Sequence, residues 1–198
     1  MKPRIGLFGG TFDPVHSGHV SIAHSFITSG KIDELWVLLT PYPPHKTEKD
    51  HAPYTMRLKM LQQAFTGVDR LKILTIENEL PKPSYTVKTI KFLKEKNPDF
   101  DFPYFCMGED SLASFHKWRL HEEIIEEVEL LVAERPGANH SEVKEYILDK
   151  TLFVEHVPFD VSSTMVKEIM GDGEVPSHLV PDEVLGIIEE EALYKQKK

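Results

Sequence analysis

Short apolar, β-rich runs recur along this chain, and most are followed by a stretch of helical patterning. The runs fall at 4–8, 34–39, 71–76, 102–107, 128–133 and 152–156, with helical stretches at 18–28, 54–65, 85–96, 121–127 and 141–149. Alternation of this kind predicts an α/β fold: a doubly wound parallel sheet with helices on both faces. Near the end the alternation lapses. A helix is expected over 162–170, with helix-cap residues at its front and Gly171 behind. A second should run from near Pro181 to about Tyr194, with Asp182 and Glu183 in its first turn. The expectation is one domain over 1–198, closing in a C-terminal helical segment. In such sheets ligands gather at the carboxyl ends of the strands.

One strand end carries unusual chemistry. The run Ile5-Gly6-Leu7-Phe8 leads into Gly9-Gly10-Thr11-Phe12-Asp13-Pro14-Val15-His16-Ser17-Gly18-His19. A strand that breaks into glycines and restarts as a helix presents backbone N–H groups to an anion, above all a phosphate. Gly9 and Gly10 are expected to supply positive φ and close approach to a ligand, and Pro14 to stiffen the connection. Ser17 reads as the N-cap of a helix that Gly30 closes. His16 and His19 enter where the anion would sit. Neither Gly-Lys-Ser/Thr nor G-x-G-x-x-G is present, so this is neither of the two common phosphate loops. One cysteine and no clustered histidines make the pair a poor zinc site.

Four further segments offer chemistry alongside a plainer structural role. Ser162-Ser163-Thr164 at a helix start supplies hydroxyls and free N–H groups, and Lys167 lies one turn beyond; an ordinary helix cap explains the serines equally well. Pro43-Pro44-His45-Lys46 is a stiff loop that could hold a charge over phosphate, or simply a surface lysine. Gly108-Glu109-Asp110-Ser111-Leu112 follows a strand: Asp110 caps a helix or accepts ribose hydroxyls, and Trp118 is core or stacks on a flat heterocycle. Arg135, at another strand end, meets a phosphate or base, or makes a surface salt bridge. His51, His121, His140 and His178 read as ordinary solvent-facing residues.

Composition narrows the setting. The net charge of −9 argues against a nucleic-acid surface, so positive potential for a polyanion must be concentrated locally. A single cysteine fits a reducing cytoplasm and excludes an intrachain disulfide framework. No apolar run approaches membrane-spanning length, and neither a membrane nor a nucleic-acid partner is expected.

The 9–19 segment resembles the (T/S)-F-D-P-x-H-x-G-H signature of the nucleotidyltransferase superfamily, and Ser162 to Lys167 resembles its I-S-S-T-x-(I/V)-R element. Pro-Pro-His-Lys at 43–46, Ser-Tyr-Thr at 84–86, Gly-x-Asp-x-Leu with Trp118, Arg-Pro-Gly at 135–137 and the tail from Leu179 to Tyr194 are similar to stretches of bacterial nicotinate-nucleotide adenylyltransferases. Two departures stand out: Lys167 replaces the usual arginine, keeping charge but losing the planar fork, and Glu109 stands where a small residue is usual. The resemblance implies a Rossmann-like sheet and transfer of AMP from ATP to nicotinate mononucleotide, giving deamido-NAD and pyrophosphate. It assigns Gly9, Gly10, Thr11, Phe12, Ser162, Ser163, Thr164 and Lys167 to ATP, and His16, His19 and Lys46 to catalysis. His45, Thr86, Gly108, Asp110, Trp118 and Arg135 fall on the acceptor side, and Mg²⁺ would accompany the ATP triphosphate. Phosphopantetheine adenylyltransferases commonly have threonine where His16 stands. An enzyme for the amidated mononucleotide is a closer rival. A non-catalytic nucleotide-binding protein is disfavoured by the absence of G-x-G-x-x-G with a ribose-binding acid.

Overall fold

A computed structural model describes residues 1–41, 51–81, 85–135 and 137–195. Six parallel strands are ordered β3-β2-β1-β4-β5-β6: β1 is Arg4–Gly10, β2 Glu34–Leu39, β3 Leu71–Leu74, β4 Asp101–Gly108, β5 Glu129–Glu134 and β6 Thr151–Glu155. The helices are α1 (Ser17–Thr28), α2 (Tyr54–Ala64), α3 (Thr86–Lys96), α4 (Glu109–Ser114), α5 (His121–Glu127), α6 (Glu145–Leu148), α7 (Ser163–Gly171) and α8 (Asp182–Glu190). The doubly wound α/β architecture expected from the pattern is present. No helix among the described residues is long and apolar enough to cross a membrane.

The strands are apolar on both faces because each face is roofed. Leu35, Val37 and Leu39 of β2 join Phe26 of α1, Met60 of α2, Val166 of α7 and Val184 of α8 in one core cluster. Their neighbours Trp36 and Leu38 point the other way, towards Ile90 of α3, Ile124 of α5 and Ile147 of α6. β1 lies between β2 and β4, where the strand order reverses, so its carboxyl end opens into the switch-point crevice.

Several boundaries shift, each for a local reason. β1 runs on through both glycines, because Gly9 and Gly10 pair with Leu38 and Leu39. β3 stops at Leu74, which pairs with Leu38 near the end of β2; the chain then makes a 3₁₀ turn over Ile76–Asn78. Pro103 cannot donate to a ladder, and the β1–β4 register slips there, from Arg4↔Asp101 to Gly6↔Tyr104. The helix expected over 141–149 contracts to α6, because the Asn139 side chain accepts from Ser141 N–H at 2.9 Å and turns the chain instead. The final helix ends at Glu190, and Ala192 and Tyr194 adopt positive φ.

Candidate active site

Beyond Gly10 the chain passes through Phe12 at φ 48°, a cis Asp13–Pro14 bond and buried Val15 into α1. Positive φ therefore falls on Phe12, and Gly9 and Gly10 serve a different purpose from the one expected. A Cβ on Gly10 would lie 2.8 Å from the Phe12 ring, and one on Gly9 would lie 3.0 Å from Phe105. They are glycines because aromatic rings pack directly on the strand. The Phe12 ring is itself core, 2% exposed and edge-on to Phe8 and His19, so it offers a ligand only its main chain.

His16, not Ser17, is the N-cap of α1. Ser17 begins the helix, and its N–H and hydroxyl donate to the carbonyls of Leu179 and His178. The backbone N–H of His16 donates to Nδ1 of His19 at 3.2 Å. With Nδ1 accepting, a neutral His19 carries its proton on Nε2, a donor for an anion. The two imidazoles stack with centroids 3.6 Å apart. Burial lowers the His16 pKa to about 4; burial, with His16 alongside, puts His19 well below its ordinary value. Both rings are therefore neutral at pH 7.

The two motifs meet in space. Ser162 caps α7, its hydroxyl accepting from Met165 N–H, while Ser163 Oγ donates to the Pro14 carbonyl at 2.9 Å. Lys167 Nζ lies 3.1 Å from Asp13 Oδ2. A Cβ on Gly18 would fall 2.9 Å from Val161, so only glycine lets the two segments close this tightly. Thr164 is exposed in the first turn of α7.

Asp13 is the hub of this contact, only 3% exposed. Besides Lys167 it accepts from His51 Nδ1 at 2.9 Å, Ala52 N–H at 3.0 Å and the Tyr194 hydroxyl at 2.8 Å. Burial alone would raise its pKa, but those three donors and the Lys167 charge hold it below the usual carboxylate value. His51 is thus a buried partner of the signature loop rather than a solvent-facing residue. His45 and Lys46 lie outside the described residues.

Arg57 is a second residue that motif reading passes over. It is 2% exposed and donates to four main-chain carbonyls: Thr11 at 2.7 Å, Thr40 at 2.9 Å, Pro41 at 3.0 Å and Ala52 at 3.2 Å. It staples the ends of β1 and β2 to the start of α2. The only sequence signal was a lone arginine inside an otherwise ordinary amphipathic helix.

On the β4 side, Gly108 caps α4, its Cβ position 3.2 Å from Ile22 of α1. Asp110 does not cap; it is exposed and pairs with Arg135 at 3.1 Å. Glu109 turns inward, accepting from Arg135 N–H at 3.0 Å and meeting His140 Nε2 at 3.1 Å. His140 stacks on Phe153 and is only 19% exposed, so it too is not solvent-facing. His121 bonds the Tyr146 hydroxyl, whereas His178 is exposed as expected. Trp118 is half-buried, edge-on to Phe105. Thr86 opens α3, where buried Glu77 accepts from Thr89 at 3.0 Å. Arg135 also lines a cavity of about 1130 Å³ between α1 and the segments leaving β5 and β6, with Ser17, Ser21 and Val157.

A model of the cytidylyltransferase-like family matches residues 7–169, which sets the class. A probable nicotinate-nucleotide adenylyltransferase of Christiangramia forsetii is 37% identical over 98% of this chain and 100% of its own length. The nicotinate-nucleotide adenylyltransferase of Bacillus subtilis is 35% identical over 97% of this chain and 98% of its own. The solved nicotinic acid mononucleotide adenylyltransferase of Plasmodium falciparum, complexed with NaAD, superposes at a TM-score of 0.80 over 97% of each chain. At 18% identity that last likeness speaks for the fold alone. The chain belongs to the cytidylyltransferase-like family and, within it, to the nicotinate-nucleotide adenylyltransferases.

Proposed function

We propose that this chain transfers AMP from ATP to nicotinate mononucleotide, releasing pyrophosphate and forming deamido-NAD. The observation that carries the reading is the junction of the two motifs. Ser163 on Pro14 and Lys167 on Asp13 bring hydroxyls, helix N–H groups, an ammonium and two imidazoles to one strand end.

The acceptor phosphate is already ionised, so its oxygen needs no general base to attack the α-phosphorus of ATP. The new P–O bond forms as the bond to the bridging oxygen breaks, and pyrophosphate leaves. Repulsion between anions and in-line alignment are the barriers, and positioning with preorganised donors lowers both. His19 Nε2–H, neutral and fixed by its Nδ1 bond, donates where negative charge grows; His16 supports it from the stacked ring. Main-chain groups of Gly9, Gly10, Thr11 and Phe12 line the nucleotide. The hydroxyls of Ser162 and Thr164, the main-chain N–H of Ser163 and the Lys167 ammonium hold the β- and γ-phosphates, and Lys46 adds charge. Mg²⁺ entering with ATP would further offset the charge of the leaving group. Among the described residues no group of three or more His, Cys, Asp or Glu is placed to hold a metal, so phosphate oxygens would supply its ligands. Thr86, Gly108, Asp110, Trp118, Arg135 and His45 take the acceptor. A cytosolic setting accords with the single cysteine.

The decisive experiment offers ATP with nicotinate mononucleotide, its amide and phosphopantetheine in parallel and follows pyrophosphate. Release is expected fastest with the acid. Faster turnover with another acceptor would replace the substrate assignment, and no acceptor-dependent release would end the enzymatic reading.

A further inference from the structure

We propose that Tyr194 is a positioning residue for ATP, acting through Asp13 on the ammonium of Lys167; this rests on the reading of Lys167 as a triphosphate ligand. Each oxygen of the Asp13 carboxylate receives two donors. Oδ1 takes Ala52 N–H and the Tyr194 hydroxyl, and Oδ2 takes His51 Nδ1 and Lys167 Nζ. All four acceptor positions of the carboxylate are filled.

The donors differ in freedom. The Ala52 N–H belongs to the backbone, and the His51 side chain is 6% exposed. Lys167 stands on a flexible stem, with a side chain 23% exposed at the mouth of the motif junction. Burial and the neighbouring carboxylate raise the Tyr194 pKa, so its hydroxyl stays protonated and only donates to Asp13.

Turning Lys167 from Asp13 to an incoming triphosphate would strand a buried carboxylate if the lysine were its main support. The donors from Tyr194, Ala52 and His51 carry the charge in its place and lower the cost of that movement. Tyr194 therefore couples the segment after α8 to nucleotide affinity. Without its hydroxyl, Asp13 competes harder for Lys167, and ATP binds less well. The acceptor site is not involved, nor is the His19 donor, so the effect should fall on KM for ATP rather than on kcat.

The test uses Tyr194→Phe, Lys167→Met and the double variant, with His51→Leu as a second way to remove a donor from Asp13. Binding of a non-hydrolysable ATP analogue is measured without acceptor, turnover with nicotinate mononucleotide, and thermal melting as a check on folding. Tyr194→Phe and His51→Leu should each weaken ATP binding about tenfold, the low end of the scale for one hydrogen bond to a charged group. KM for the acceptor should stay put, and kcat should hold within about twofold. The double variant should bind no worse than Lys167→Met alone, because Tyr194 acts through that lysine. The proposal is overturned if Tyr194→Phe melts lower yet binds the analogue normally, or if the two losses multiply. A wild-type chain that binds the analogue but ignores the mononucleotide would defeat the functional reading instead, and the binding comparison would still decide the role of Tyr194.

Discussion

Replacing Asp13 with asparagine measures how much of the site's order rests on one buried carboxylate. Asparagine offers one accepting oxygen, and its NH₂ is a donor. Whichever way the amide turns, either the Ala52 and Tyr194 donors or the His51 and Lys167 donors face N–H groups. A buried donor without an acceptor costs about 1–3 kcal/mol. Lys167 can partly rehydrate at 23% exposure, and His51 can change tautomer, so the loss should be about 3 kcal/mol rather than the sum of maxima. For a chain of this size that corresponds to a melting temperature lower by roughly 6–12 °C at pH 7. The pH dependence has a definite sign. The native Asp13 pKa is lowered, so its contribution is full above the ordinary carboxylate pKa and is lost as pH falls through the native value. The gap between wild type and Asp13→Asn should therefore narrow below about pH 4. Calorimetry at pH 7 and in acid reads both effects. A variant melting within about 1 °C of wild type at pH 7 would refute the reasoning, since a solvated carboxylate costs little to replace.

His19→Ala should lower kcat on the order of 10²-fold or more, with a lower melting temperature as well because His16 N–H loses its Nδ1 acceptor; near-normal turnover would remove His19 from the mechanism. His16 titrates at about 4 in the folded chain, below its unfolded value. The unfolded state thus takes up a proton first as pH falls through 6, and stability should drop by about 2 kcal/mol between pH 7 and 5. Urea midpoints should show that slope flattened in His16→Gln, and an unchanged slope would contradict it. Arg57→Lys keeps the charge but cannot span the Thr11, Thr40, Pro41 and Ala52 carbonyls, so urea midpoint and turnover should fall together; wild-type values for both would show the staple to be dispensable. Glu109→Ala frees Arg135 N–H and His140, and should cost about 1–2 kcal/mol with faster amide exchange at Arg135. Unchanged exchange there would mean that Glu109 does not hold the loop.

The sequence alone determined the alternation of strand and helix, because buried parallel strands must be apolar on both faces and that requirement is written in local runs. It also singled out the 9–19 segment as a candidate phosphate loop, while the serines of 162–167, taken alone, read equally well as an ordinary helix cap. Only tertiary structure decided what those residues touch. Asp13 carries no assigned role in the sequence beyond its place in the 9–19 segment, yet it binds Lys167 and Tyr194, 154 and 181 positions away. His51 reads as a surface residue because a single histidine carries no local sign of burial. Arg57 leaves no mark in a motif because its partners are main-chain carbonyls, which have no letter of their own. The positive φ falls on Phe12, while Gly9 and Gly10 stay in the strand with Phe105 packed on one face and Phe12 on the other, and only the folded sheet brings those rings to it. Periodicity and capping act over a few residues and can be read in order, whereas hydrogen bonds across the crevice depend on which strands become neighbours.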